Sequence, residues 1–446
     1  MQIKKRKICI FTNIFVILHP KMKQFLSKIW FSSSARNVGK LLSANVIAQA
    51  IGILIYPVLT RMYAPEEFAL LNLFTSIVGV LVIVATAEYQ YAIVLPEDTK
   101  KARSIVHVSL LILAAVTLLV LCSIPFAKPI AGLFNAPDLA RYWWLIPLSV
   151  LGLSLWNILN YWYIRNKAFT RISGYQITQS VFSAAGKIGL GALGFLNSGL
   201  IIATVFAPLL SLLISSCLAW KKHLSHLLST DWTQLKTVAR EYANFPKFNL
   251  PRALVNTIGM VLPVWILTPH FGLEQMGYLS LAMMAAFVPL NIIARAFYQV
   301  LFQYVSELVQ HRKAIQPVLL QFTAWMGGIM GIFLVGIYFL LPQLVTIFFG
   351  ADWLETATII RRLYPYLILT PICGTICFLS DVFAKQKIAM WMEIAYVTMM
   401  FVTLVIGTRF LPFLSAISAY AWVGFGYHFI QLVWFLSLAR QYDKKI

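Results

Sequence analysis

Three cations stand inside otherwise apolar runs of this chain: Lys187, Arg252 and Arg295. An ionisable group within a spanning helix costs roughly 2.5–3.5 kcal/mol on insertion scales, so each marks function by default. Arg252 and Arg295 lie a few residues from the ends of their runs, within roughly 9 Å of one membrane face at about 1.5 Å per residue. Two guanidiniums in a cleft at that depth suit a diphosphate, which they can grip bidentately. The bland alternative is snorkelling, in which the long side chains simply reach back to water. Lys187 is deeper, and Gly186 and Gly189 beside it permit close helix approach. It is expected either to put a charge or a proton site in a central cavity, or to bond a neighbouring carbonyl. Glu88, at a depth like that of the arginines, is expected to pair with one of them or to serve a coupling ion. Asp381 and Glu393 stand near Lys385 and Lys387, which points to loop salt bridges.

Catalytic chemistry is missing. Gly186-Lys187 is followed by Ile188, so it is no phosphate-binding loop, and neither His-Glu-x-x-His nor Gly-x-Ser-x-Gly occurs. The five cysteines (Cys9, Cys122, Cys217, Cys373, Cys377) offer one pair at helical spacing and no second pair. A structural metal needs about four ligands, so they read as small packing residues. No catalytic residue, metal or cofactor is assigned, and the chain reads as a conduit and not as an enzyme.

The elements that must position these charges follow from composition. Sixty percent of the 446 residues are hydrophobic, 11% are charged and the mean hydropathy is +0.78. Soluble domains carry about 25% charged residues, and a spanning helix needs about 20 apolar ones, so the chain is an all-α polytopic membrane protein with room for about a dozen spans. Twelve runs can be marked, among them 41–60, 68–94, 174–195, 249–269, 276–301 and 363–384. Counted by alternate sides, 27 Lys and Arg residues fall on the side of both termini and six on the other. That alternation predicts both termini in the cytoplasm. The net charge of +21 is thereby explained as topology, and nucleic acid is excluded as a partner.

The expected organisation is a basic cytoplasmic extension 1–36, a six-helix bundle 37–220, a cytoplasmic linker 221–247, a second six-helix bundle 248–438 and a tail 439–446. Met22 offers an alternative start. The linker holds an amphipathic stretch (Trp232, Leu235, Val238) suited to a membrane surface. A faint repeat relates Pro57-Val58 to Pro263-Val264, as in transporters with a substrate route between halves.

Five segments in register carry a family resemblance: LTRMYAPEEFALLNLFTSI (59–77), YAIVLPEDTKKA (91–102), NYWYIRNKAFTRIS (160–173), NFPKFNLPRALVN (244–256) and FFGADWLETATIIRRLYP (348–365). They resemble the polysaccharide-export, O-antigen (Wzx-type) flippases of the multidrug/oligosaccharidyl-lipid/polysaccharide superfamily, over about residues 37–438. The resemblance implies a MATE-like V of two bundles in the bacterial cytoplasmic (inner) membrane. It implies carriage of a polyprenyl-diphosphate-linked oligosaccharide from the cytoplasmic to the outer leaflet by alternating access. On that reading Arg252, Arg295 and Lys187 bind the diphosphate, H+ or Na+ is the coupling ion, and other polysaccharide-assembly membrane proteins are partners besides the lipid bilayer. An ion-coupled multidrug or cation antiporter of the same fold is the alternative, disfavoured here because Glu88 is the only carboxylate expected at any depth.

Overall fold

A computed structural model describes residues 33–196, 198–219 and 232–446, and among these the regular structure is helical, with no strand. Lipid offers backbone groups no partners, so an apolar chain of this kind must satisfy its amides within helices. The first half contains α1 (Ser33–Leu54), α2 (Pro65–Thr86), α3 (Thr99–Cys122), α4 (Leu145–Arg165), α5 (Phe169–Ala192) and α6 (Gly199–Ala219). A short helix α7 (Trp232–Glu241) leads to the second half. There follow α8 (Leu250–Gln310), α9 (Gln316–Phe349), α10 (Leu354–Ile376), α11 (Gln386–Phe410) and α12 (Phe413–Asp443).

Helix α8 has 61 residues and would run about 90 Å if unbroken, three times the hydrocarbon thickness. It is broken at Gly272, whose φ of 82° and ψ of 171° suit a residue without a Cβ. Nine described helices, α8 counted once, are long and apolar enough to cross a membrane. With α8 divided, and the more polar α1 and α5 added, the arrangement fits the expected twelve spans. The extension 1–36, apart from its last four residues, and the start of the linker lie outside the described residues.

Two boundaries differ from expectation. The apolar run 68–94 predicts one helix, yet α2 stops at Thr86 because Ala87 and Glu88 take left-handed φ values of 45° and 63°. A 3-10 turn, Tyr89–Val94, follows. The Arg165 guanidinium, at the end of α4, donates to the carbonyls of Ile93, Pro96 and Glu97 and so satisfies the backbone freed by the break. Helix α10 begins nine residues before the expected 363, which takes Arg361 and Arg362 out of a loop and into its third turn. Arg361 donates to the Tyr338 carbonyl at 3.0 Å and lies over that ring at 4.8 Å.

Each half has its own core. Leu73, Phe74, Ile105, Leu145 and Tyr163 anchor the first. Leu319, Leu363, Ile376, Phe378 and Leu404 anchor the second, which also takes in Leu59, Tyr63 and Phe68 from the first half. The halves therefore interlock where residues 55–69 meet α8, α9 and α10. There the Trp353 indole, 1% exposed, donates to the Thr60 carbonyl at 2.9 Å. Its ring meets Phe68 and Tyr278 edge-on at 5.0 and 5.8 Å. Arg61 donates to the Ile347 and Phe348 carbonyls at the end of α9. Gly277 packs so tightly on Pro65 that any Cβ would overlap the Pro65 carbonyl. Deeper in, Asn72 donates to Ser280 and Trp265 to Ser76. Together these contacts form the closed end of the molecule.

Helix α7 does not lay its apolar side outward. Leu235 and Val238 are buried in the first-half core, Lys101 pairs with Glu241 at 2.9 Å, and Tyr89 donates to the Ala239 carbonyl. The amphipathic stretch expected at a membrane surface thus covers protein instead.

Candidate functional site

Below the closed end the halves enclose a cavity of about 910 Å³. It is lined from the first half by Tyr56, Asn72, Thr75, Lys187 and Thr204, and from the second by residues of α8, α10, α11 and α12. Lys187 reaches it because Tyr63 donates to the Lys187 carbonyl at 2.7 Å, fixing α5 against the closed-end loop. A smaller side chamber of about 300 Å³ lies between α1, α5 and α8, lined by Gln49, Gln179, Ser180 and Ser183. Lys187 and Tyr56 line both spaces, so the ammonium stands at the divide.

Arg252 lines the cavity too, from the first turn of α8. The π-turn Phe245–Asn249 precedes it and sets its direction. Among the described residues neither Lys187 nor Arg252 has an ion pair; the pairs present are Lys101–Glu241 and Arg141–Asp138. Two positive charges that line a membrane cavity and make no direct ion pair among the described residues are open to an anionic group.

The other two sequence-stated charges stand elsewhere. Arg295 is exposed on the second part of α8 and does not line the cavity. Glu88 is 6% exposed at the break after α2, where its carboxylate accepts from Gln90 at 3.5 Å. It has no ion pair among the described residues, so the expected arginine partner is not present. Burial raises its carboxyl above the usual range, and the Gln90 hydrogen bond pulls the other way.

Several cavity groups escaped the sequence reading. Asp381 and Glu393 do not pair with Lys385 and Lys387: both line the cavity, and Glu393 accepts from the Asn256 amide across on α8. Carboxylates are thus present where only Glu88 was expected to supply one. Tyr366, Thr370 and Cys373 form a stripe on α10 that Cys377 continues just past its end, and Tyr420, Tyr427, His428 and Gln431 form one on α12, all facing the same space. The signal was available, since those spacings of three, four, seven or eight place polar groups on one helical face. Among the described residues no cluster of His, Cys, Asp and Glu could hold a metal.

Residues 58–358 match a family described as polysaccharide biosynthesis protein. The chain is 22% identical over 370 residues to the succinoglycan biosynthesis transport protein ExoT of Rhizobium meliloti (strain 1021), covering 80% of this chain and 71% of that protein. In fold it is similar to a multidrug resistance MATE family transporter of the MOP superfamily in an inward-facing conformation, with a TM-score of 0.69, 15% identity and coverage of 90% and 96% of the two chains. It is also similar to the lipid II flippase MurJ in an inward closed conformation, with a TM-score of 0.67, 14% identity and coverage of 91% and 90%.

Proposed function

Because the chain belongs to the polysaccharide biosynthesis protein family, we propose that it is a flippase for a polyprenyl-diphosphate-linked oligosaccharide. The observation that carries the reading is the cavity of about 910 Å³, closed at one end and lined by two cations, Lys187 and Arg252, that have no ion pair among the described residues. Arg252 at the mouth and Lys187 deeper in draw the diphosphate into the cavity, the sugars occupy its polar space, and the polyprenyl tail stays in lipid. With the basic loops in the cytoplasm, the end bearing Arg252, Asp381 and Glu393 faces the cytoplasm and loads. The closed end faces outward, and rocking of the halves against each other transfers the head group to the outer leaflet. The sequence has no Gly-x4-Gly-Lys-Ser/Thr loop for ATP, and on this reading the step draws on a gradient of H+ or Na+ or on the membrane potential. The potential supplies about 2.3 kcal/mol per elementary charge at 100 mV.

The test is flipping itself. Purified protein in liposomes receives a fluorescent polyprenyl-diphosphate oligosaccharide, and a glycosidase added outside reports transfer. Wild type accelerates exposure, Lys187→Ala and Arg252→Ala abolish most of the acceleration, and Arg295→Ala, outside the cavity, retains it. Absence of transfer by wild type under H+ and Na+ gradients of either sign overturns the proposal. One observation favours a second reading: Asp381 and Glu393 give the cavity the carboxylates that an ion-coupled drug or cation antiporter would use. Proton-coupled export of an organic cation from the same liposomes, lost in Glu393→Gln, would establish it.

A further inference from the structure

We propose that the cavity wall built by α10, α11 and α12 is a subsite for an uncharged sugar ring, distinct from the two cations Lys187 on α5 and Arg252 on α8. The inference rests on the flippase reading and names which part of the substrate each takes. The wall is a connected polar sheet of side chains. Tyr396 and Tyr427 stack at 4.0 Å with their planes 13° apart, and Tyr366 and His428 stack at 5.5 Å and 17°. The Tyr396 hydroxyl donates to that of Tyr366 at 3.1 Å, and the Gln431 amide donates to the Tyr427 hydroxyl at 3.2 Å. The His428 Nδ1 meets the Gln431 amide oxygen at 3.2 Å. Each ring is therefore held by a neighbour, and little rotamer freedom remains to be lost when a ligand arrives.

The chemistry of this wall excludes the other parts of the substrate. A core that only had to fill space in a membrane would use Leu and Phe, which carry no polar atoms needing partners. A hydrocarbon tail laid on these hydroxyls, the amide and the imidazole would desolvate them and return no hydrogen bonds. A diphosphate would meet Asp381 and Glu393, which share the cavity surface with the aromatic wall. A sugar ring satisfies all of it. Its C–H face packs on aromatic carbon, and its hydroxyls donate and accept, matching phenols, an amide and a carboxylate. Asn256 holds Glu393 from the opposite helix, keeping one carboxylate aimed for a hydroxyl proton. The same carboxylates repel a uronic acid. The subsite thus selects for neutral sugars and sorts the head group: phosphates to Lys187 and Arg252, sugar to the tyrosines.

Binding to the full-length protein in nanodiscs tests this with three probes: a polyprenyl diphosphate carrying a neutral oligosaccharide, the same lipid with a uronic acid in place of one sugar, and the bare lipid diphosphate. Wild type is expected to bind the neutral glycan about tenfold more tightly than either other probe, a difference of about 1.4 kcal/mol. His428→Ala and Gln431→Ala bring the neutral glycan down to the level of the bare lipid diphosphate and leave the latter within about twofold. Glu393→Gln improves the uronate probe by about tenfold, a gain that misfolding cannot produce. Arg252→Ala weakens all three probes alike, which separates the cations from the wall. Equal binding of glycan lipid and bare lipid diphosphate by wild type overturns the subsite while keeping the flippase. So does an equal loss of both probes in His428→Ala and Gln431→Ala. Binding of no lipid diphosphate at all overturns the flippase reading, and the subsite with it.

Discussion

The closed end and the cavity are both places where the two halves face each other, and they are built from opposite materials. At the closed end, side chains of one half bond backbone carbonyls of the other: Trp353 to Thr60, and Arg61 to Ile347 and Phe348. Around them lie aromatic edges and a glycine. In the cavity, charges from both halves line a common space, and among the described residues Lys187 and Arg252 have no ion pairs. Carbonyls and ring edges are neutral, so water can replace their partners at a net cost of about 1 kcal/mol per hydrogen bond. Ion pairs across the closed end would bind it more stubbornly if buried, since losing one partner of a buried pair costs about 3–5 kcal/mol. The neutral contacts at the closed end suit the reversible closure that the proposed flippase needs, and the charges are left to the cavity.

The comparison can be broken most sharply at Trp353. Trp353→Ala removes a buried aromatic and its hydrogen bond, about 3–5 kcal/mol of support for the closed end. Spin labels at residues 64 and 352, both exposed, are expected to shift from one short distance to a mainly longer one. Trp353→Phe, which loses the bond to Thr60 and keeps the ring, should move that population far less. An unchanged distance in the alanine variant would mean that the closed end does not depend on this cluster. Next comes the cavity: Arg252→Ala should weaken lipid-diphosphate binding by about tenfold, yet leave the label distance as in wild type. A change in that distance would show that the two regions are not separable.

Arg61→Gln sharpens the contrast at smaller scale. Its donations are charge-assisted but the side chain is exposed, so the expected loss is about 1 kcal/mol or less. A modest lengthening of the label distance, with lipid binding unaltered, would agree with that. Smallest is an effect remote from both regions. Glu88 has a carboxyl raised by burial at the end of α2, so the folded state prefers it protonated. Its support is therefore present below the unfolded carboxylate range and is lost as pH rises through the folded value. Glu88→Gln should flatten the dependence of Tm on pH from about 4 upward. A wild-type minus mutant difference that does not vary with pH would exclude a contribution from this group.

Hydropathy and loop charge made the membrane class, the helical fold and nearly all spans legible, because lipid imposes one rule on every backbone amide. Lys187 and Arg252 were legible by the same logic, as costly charges in apolar runs. Arg295 carries an identical signal and stands outside the cavity, because depth along a helix says nothing of its rotation about the axis. Glu88 was assigned to a helix because Tyr91-Ala92-Ile93-Val94 continues the apolar run, while the break depends on Arg165, 72 residues away from the Ile93 carbonyl it caps. Asp381 and Glu393 were hidden by neighbouring lysines that sequence proximity made attractive as partners. The tyrosines of α10–α12 were hidden because an aromatic inside an apolar run reads as packing until its rotation about the helix axis is known.

Gly277 restricts what the sequence can become. Any side chain there would occupy the place of the Pro65 carbonyl, so every substitution works against the state in which the halves meet. Such a position acts as a ratchet on divergence. Cavity residues can change without touching this contact, whereas Gly277 cannot change without moving Pro65. A descendant that replaced Gly277 would need a compensating retreat of Pro65 at the same time, or its halves would part at this end.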